Sequence, residues 1–436
     1  MLGIGRTPKN GSERSAKVAR LVGLCAKLLT DRGHAGGPQL AHEVLDSYTG
    51  LEEIQRTAFF LALLEDFSLD PQQALQAAQR YAEEPSADRL AELHTMVEPS
   101  RQELLRRLNR ASGGTGAILR MRGHLLWALR ERPELAAVDW DFHHLLASWF
   151  NPGFLQVSRI DWRTPAYLLE RIIEHEAVHE IRDWHGLQRR LESDRRCFAF
   201  FHPALPDEPL IFVEVALLED MPASIAPLVS ADAAKGDPER ARVATLYSIN
   251  NTQPGLRGVS LGNFLVKQVV GLLSAELPRL RRFCTLSPIP QFVPWLTACL
   301  AEPWRERSAA FKGALDALAE TLGPDPTCLA ADPESALARL TPLAKPLLAL
   351  CATFLLSAKP TGETQADPVA RFHLSNGARL ERINWGADLS KRGLQQSLGM
   401  MVNYVYEPAA IERNHERFLQ GRVIASRQVT SLAVED

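Results

Sequence analysis

The sequence predicts an α+β chain, with an all-helical N-terminal domain over residues 1–150 and a C-terminal mixed-sheet domain over residues 151–436. Three observations predict it. At 436 residues the chain is too long for one ordinary core. Its first third is rich in Ala, Leu, Glu and Arg at helical spacing. Past Asn151-Pro152-Gly153 the texture changes, and β-branched and aromatic runs begin to alternate with helical ones.

Taken in order, helices are predicted over Leu51–Leu64, Pro71–Glu83, Asp88–Met96 and Ser100–Ala111, separated by acidic or Gly/Pro turns. Ser112-Gly-Gly-Thr-Gly116 reads as a break between two helical layers. The block holds few side chains of special chemistry and reads as a structural or oligomerisation module. Beyond it, Pro165–Ser193 predicts one long helix. Arg196–Phe201 and Pro209–Leu217 predict strands, with His202–Glu208 as their hairpin loop. Ala244–Ile249 predicts a third strand, followed by a glycine-bearing loop and the helix Asn263–Glu276. Arg282–Leu286 predicts a fourth strand that ends at Ser287, and Pro303–Lys359 returns to helix ahead of His373.

Composition narrows the function classes. Hydrophobic residues at 46% and charged residues at 23% are those of a globular protein, and a net charge of −3 argues against a general nucleic-acid binder. The six cysteines (Cys25, Cys197, Cys284, Cys299, Cys328, Cys351) show no CxxC and no paired spacing. Buried thiols in a reducing, cytoplasmic setting fit that pattern better than a disulfide framework or a zinc cage. No run of eighteen uncharged apolar residues occurs, so no membrane-spanning segment is predicted. The basic N-terminus (Arg6, Lys9, Arg14, Lys17, Arg20) reads as a tail leading into the first helix rather than a transit peptide.

Two segments carry the chemistry. Thr285-Leu-Ser287-Pro-Ile-Pro290 puts a hydroxyl at the end of an apolar run, stiffened by two prolines, and Phe372-His373-Leu-Ser-Asn376-Gly377 puts an imidazole beside a turn-forming pair. Brought together, they would form a hydroxyl–imidazole pair. Between the third strand and its helix lies Gln253-Pro-Gly-Leu-Arg257-Gly258-Val-Ser-Leu-Gly262-Asn263. Glycines that turn backbone N–H groups outward, followed by a helix N-terminus, are a recipe for binding phosphate. Tight turns without a ligand use the same residues, so the spacing leaves both readings open. The loop matches neither the Walker pattern nor the dinucleotide fingerprint.

His175-Glu176-Ala-Val-His179 matches HExxH, in which two imidazoles on one helix face hold zinc and the glutamate activates a bound water. The helix expected there is laced with charge, and no third ligand announces itself beyond Glu192. A solvated face is the simpler reading, and His143-His144 reads as a helix surface or a satisfied core pair rather than a ligand set.

The loop Tyr247–Gly262, the run Leu286–Pro290, Phe372–Ala378, Arg382-Ile-Asn-Trp385 with Asp388, and Met401-Val-Asn-Tyr404 together resemble the malonyl-CoA decarboxylase family, as do Glu176–His179 upstream and Arg195-Arg-Cys197. The resemblance covers nearly the whole chain in consistent order. It implies conversion of malonyl-CoA to acetyl-CoA and carbon dioxide, with no biotin and no metal. It further implies a catalytic domain of the acyl-CoA N-acyltransferase (acetyltransferase-like) type, and a homotetramer built as a dimer of dimers. The family's malonyl-CoA contacts fall on Arg257, Gly258, Val259, Ser260, Leu261, Gly262 and Asn263, and its serine and histidine on Ser287 and His373. Two positions depart from the family pattern: Ser260 stands where several relatives carry an acidic residue, and Gln291 where glycine is expected.

On this reading Ser287 orients the malonyl carboxylate and relays a proton, and His373 delivers the proton to C2. Asn250 and Asn251 are candidates for the thioester oxygen, while Tyr404 and Tyr406 help to close the pocket. Three rivals stay open: an acyl-CoA-dependent acyltransferase, a non-catalytic acyl-CoA sensor, and a zinc hydrolase.

Overall fold

The computed structural model describes residues 15–30, 37–259, 261–301, 308–322, 333–360 and 367–434, without the side chains of 262–264, 321–322 and 333–334. Its contacts divide into two compact units. The first comprises Met1–Gln156 together with two later segments, Phe201–Leu210 and Asn251–Ser260. Its helices are Ala16–Leu29 (α1), Gly37–Thr49 (α2), Glu53–Asp66 (α3), Pro71–Glu83 (α4), Ala87–Val97 (α5), Ser100–Leu108 (α6), Gly114–Ala128 (α7) and Ala136–Trp149 (α8). In α1, Val18, Leu21, Cys25 and Leu28 recur at three- and four-residue steps and are buried, and Ser15 caps the start by accepting the Val18 N–H. Asp70 caps α4, with Pro71 as its first helical residue. Where α6 packs beside α8, Asp141 accepts from both Arg101 and Gln102, all three buried. Losing Asp141 would strand the Arg101 charge, at a cost of about 3–5 kcal/mol.

The second unit comprises Val157–Phe200, Ile211–Asn250 and Leu261–Asp436. It is built on one seven-stranded sheet with strands Gln156–Ile160 (β1), Arg195–Phe201 (β2), Ile211–Leu218 (β3), Val243–Asn251 (β4), Arg282–Thr285 (β5), Arg379–Asn384 (β6) and Met401–Tyr406 (β7), in the order β1-β2-β3-β4-β5-β7-β6. β2 and β3 are antiparallel, β4 and β5 parallel, and β7 runs antiparallel to both β5 and β6. A parallel pair needs a crossover, and helix Gly262–Glu276 (α11) supplies it. Two shorter helices, Ala166–His175 (α9) and Trp184–Arg190 (α10), precede β2. The later helices are Phe292–Ala301 (α12), Ala309–Leu322 (α13), Pro333–Leu340 (α14), Ala344–Leu356 (α15), Pro368–Ser375 (α16), Lys391–Ser397 (α17) and Ile411–Leu419 (α18). This mixed sheet with flanking helices meets the expected fold class.

Ala216, Ile225, Leu228, Tyr247, Leu286, Ala387 and Met401 form one core cluster of this unit. Two buried ion pairs tie α10 to the residue before β2 and to β3: Arg189–Asp194 at 2.8 Å and Arg190–Glu214 at 2.9 Å. The run Ser335–Leu356 has the length and mean hydropathy (1.3) of a membrane-crossing helix. It carries Arg339 and Lys345, and Leu340, Leu347, Leu350 and Leu355 within it are buried inside the protein.

One expected element is corrected. Pro165–Ser193 is not a continuous helix: α9 stops at His175, and Glu176–Asp183 runs without helical structure before α10 begins. Glu176 has turned its carboxylate onto the Val178 and His179 N–H groups, at 2.8 and 2.7 Å, which replaces the next helical turn with a side-chain-closed one.

Candidate active site

β5 alternates its side chains, so Cys284 and Leu286 face one side of the sheet and Thr285 and Ser287 the other. Two residues past the strand, Ser287 is held by two backbone bonds to β7: its N–H donates to the Val402 carbonyl at 2.8 Å, and the Val402 N–H returns to its carbonyl at 2.9 Å. His373 sits near the end of α16. Asp367 caps that helix by accepting the Val369 and Ala370 N–H groups at 2.9 Å each, and its second oxygen accepts the Gln291 N–H at 3.0 Å. A single carboxylate therefore joins the segment that follows Ser287 to the start of the helix that carries His373. At the other end Gly377 has φ +77°, and a Cβ there would lie 2.1 Å from the Ile411 carbonyl oxygen. Only glycine fits.

These constraints place Ser287 Oγ 3.0 Å from His373 Nε2. On the opposite side of the ring, Nδ1 lies 2.8 Å from the Tyr406 hydroxyl. The Tyr404 ring stacks on the imidazole at 4.7 Å. Ser287 Oγ also donates to Thr285 Oγ1 at 2.9 Å, and the Tyr404 N–H donates to that same oxygen at 3.2 Å. Ser287 and His373 are 5% and 4% exposed.

Burial without a charged partner pushes the His373 imidazole down to about 3, so the ring is neutral near pH 7. Burial likewise pushes the Tyr406 phenol up, and it keeps its proton. With the Ser287 proton given to Thr285, the serine oxygen accepts from Nε2–H, and Nδ1 accepts from Tyr406. The resting chain runs from phenol to imidazole to serine. That polarity is the reverse of a hydrolase, in which the imidazole takes the serine proton.

Asn250 lies in a second polar cluster. Its amide donates to Glu176 Oε2 and to Ser248 Oγ, both at 2.7 Å, and its Oδ1 accepts the Ala177 N–H at 2.9 Å. Both amide hydrogens are thus committed to protein partners. Asn251 is exposed, and its Oδ1 accepts the Gln253 N–H at 2.9 Å. Of the glycine loop, Arg257, Gly258 and Val259 follow the short helical turn Pro254–Leu256, and Leu261 is the uncapped residue before α11. Ser260 and the side chains of Gly262 and Asn263 lie outside the described residues.

The HExxH motif does not assemble a ligand set. His179 lies outside any helix, so the two imidazoles share no helix face, and Glu176 is consumed by Ser248, Asn250 and two backbone N–H groups. Glu192 pairs with Lys235 at 2.8 Å. His179, Glu176, Arg190 and Arg392 instead border a cavity of about 860 Å³. Ile225, also in its lining, packs in the cluster that contains Leu286, whose side chain alternates away from that of Ser287. Of the other pair, His143 bonds the Gly258 carbonyl and His144 stacks on Trp140 at 5.3 Å.

Sequence reasoning missed what Tyr406 and Asp367 do. The alternation in Met401-Val-Asn-Tyr404-Val-Tyr406 was a readable strand signal that puts both tyrosines on one face. Nothing local marks Asp367 as more than a helix cap.

Fold and site together define a helical unit and a mixed-sheet unit with a buried serine–imidazole–phenol chain. Residues 153–436 match the family model of the malonyl-CoA decarboxylase C-terminal domain, and residues 67–150 that of its N-terminal domain. The chain belongs to the malonyl-CoA decarboxylase family. It is 35% identical over 416 residues to the mitochondrial malonyl-CoA decarboxylase of Anser anser anser, covering 89% of this chain and 82% of that one. To the Rattus norvegicus counterpart it is 34% identical over 414 residues, covering 89% and 84%. Among solved structures, malonyl-CoA decarboxylase from Agrobacterium vitis superposes with a TM-score of 0.84 at 42% identity, covering 95% of this chain and 99% of that one. The Rhodopseudomonas palustris enzyme gives 0.84 at 44% identity, with the same coverage.

Proposed function

We propose that the protein is a carboxy-lyase that converts malonyl-CoA to acetyl-CoA and carbon dioxide, with the Ser287–His373 pair handling the proton. The observation that carries this reading is the polarity of the hydrogen-bond chain, which delivers protons toward the serine instead of withdrawing them. Cleavage of the bond between C2 and the carboxylate releases carbon dioxide and leaves its electron pair on the thioester as an enolate. The thioester is its own electron sink, so the reaction needs neither biotin nor a metal. C2 then takes the Ser287 hydroxyl proton, the His373 Nε2 proton refills the serine oxygen, and Tyr406 passes its phenol proton to Nδ1, so the ring stays neutral. Solvent restores the phenol proton after release of acetyl-CoA. A neutral ring serves here, because a thioester enolate is a far stronger base than any group in the chain.

Stabilising the enolate oxygen is worth about 3–4 kcal/mol per preorganised donor. Substrate binding is assigned to Asn251 and to the loop Arg257–Asn263, whose N–H groups and helix start would hold the coenzyme A diphosphate. Asn250, with its amide committed, would fix the end of β4, and Tyr404 would wall the imidazole. A homotetramer made as a dimer of dimers, with the helical domain at one contact, completes the reading. A cytoplasmic location is supported by the free, buried thiols of Cys25, Cys197, Cys284 and Cys351.

Incubation with malonyl-CoA alone tests the reading, following carbon dioxide and acetyl-CoA with and without chelator. Turnover without an acceptor, unchanged by chelator, is expected. An absolute need for an amine would identify an acyltransferase, binding without turnover a sensor, and loss of turnover in chelator a metal enzyme.

A further inference from the structure

We infer that Arg122 and His143 are positioning residues for coenzyme A, acting by fixing the backbone of the glycine loop. The inference rests on the proposed reading that this loop holds the diphosphate. The segment Asn251–Ser260 belongs to the helical unit, and α7 is its seat. Gly255 lies so close to α7 that a Cβ there would come 2.0 Å from the Leu119 carbonyl oxygen. Arg122, one turn along, is 2% exposed. Its guanidinium donates to the Gly255 carbonyl at 2.6 Å and to the Arg257 carbonyl at 2.9 Å, and Asp139 holds it from behind at 2.8 Å. From α8, His143 Nε2 bonds the Gly258 carbonyl at 3.2 Å.

The consequence follows from peptide geometry. In a planar trans peptide the C=O and the next N–H point in opposite directions. Drawing the Arg257 carbonyl toward Arg122 therefore turns the Gly258 N–H away from it. The bond to His143 fixes the peptide plane on the other side of Gly258. With both planes held and φ at +84°, Gly258 has one orientation, and its N–H is preset for an anion. Preorganisation of this kind removes the cost of ordering a loop on binding. Nη1 alone serves both carbonyls while Nε and Nη2 hold Asp139, a fixed division of donors in one plane that lysine, a point donor on a flexible stem, does not reproduce.

The test compares malonyl-CoA with malonyl-pantetheine, which lacks the diphosphate, on the intact protein. Arg122→Lys should raise KM for malonyl-CoA about tenfold, as expected for losing a charge-assisted bond, with kcat held. The ratio of kcat/KM between the two substrates should fall by the same factor. His143→Ala, at a less buried position and so less exposed to folding failure, should shift the ratio the same way by a few-fold. Equal losses on both substrates, or an unchanged ratio in both variants, would overturn the inference. Gly258→Asp separates this from failure of the reading beneath it. If that anion leaves KM for malonyl-CoA unchanged, the loop does not hold the diphosphate; if it raises KM while Arg122→Lys and His143→Ala do not, only the positioning role fails.

Discussion

His373 and His179 are both held below the ordinary imidazole pKa by loss of solvent, His373 to about 3 and His179 to about 4. Their surroundings differ. His373 has a side-chain hydroxyl at each ring nitrogen, at 3.0 and 2.8 Å, and an aromatic ring stacked on its face. His179 lies in a non-helical turn 6.4 Å from the Tyr247 ring, and its Nε2 has no hydrogen-bond partner among the described residues. Desolvation fixes how many protons an imidazole carries. Its partners fix where a proton can go, and only His373 has partners on both sides.

The largest effect expected from this contrast is on turnover. His373→Asn should lower kcat for carbon dioxide release by about 10²–10⁴-fold, the range for loss of a positioned proton donor, while His179→Asn stays within about twofold of the parent. Comparable losses in both variants would dissolve the distinction. A smaller effect isolates the partner: Tyr406→Phe keeps the ring packing but removes the hydroxyl from Nδ1. It should slow kcat about tenfold and, by leaving a buried acceptor unpaired, cost about 1–3 kcal/mol in denaturant unfolding. A Tyr406→Phe protein with full rate would leave the phenol a packing role only.

The smallest effect is on pH dependence. Because His373 is neutral in the free protein, kcat/KM should show no imidazole inflection between about pH 5 and 8; a rate that falls as pH rises through about 6.5 would mean that the charged ring is the acid. Stability carries the matching sign. The folded pKa lies below the unfolded one, so the unfolded chain binds the extra proton as pH falls. The His373 contribution is therefore complete above about pH 6.5 and is lost toward pH 3, with a slope of about 1.4 kcal/mol per pH unit. Urea unfolding of His373→Asn between those limits should show a shallower slope than the parent, by about one proton.

The strands β2 to β5 were legible because each is an apolar run bounded by turns, and β6 and β7 were less so. Arg379, Glu381 and Arg382 give β6 the texture of a surface segment, although it pairs with β7 on either side of an irregularity at Glu381. The HExxH spacing promised a helix and delivered a turn, because Glu176 found Ser248 and Asn250 from β4 as well as its own backbone. Ser287 and His373, read as a pair, meet at 3.0 Å across 86 residues of chain.

By itself the sequence determined the class of fold, the family pattern and the serine and histidine worth pairing. Those are written locally, in hydrophobic period, in turn residues and in short motifs. The tertiary structure decided the direction of the proton chain, the tyrosine that sets it, the carboxylate that joins its two segments, and the helices on which the glycine loop is seated. Each is a hydrogen-bond partnership between elements distant along the chain. Local periodicity does not encode such partnerships; they exist only once the sheet order and helix packing are fixed.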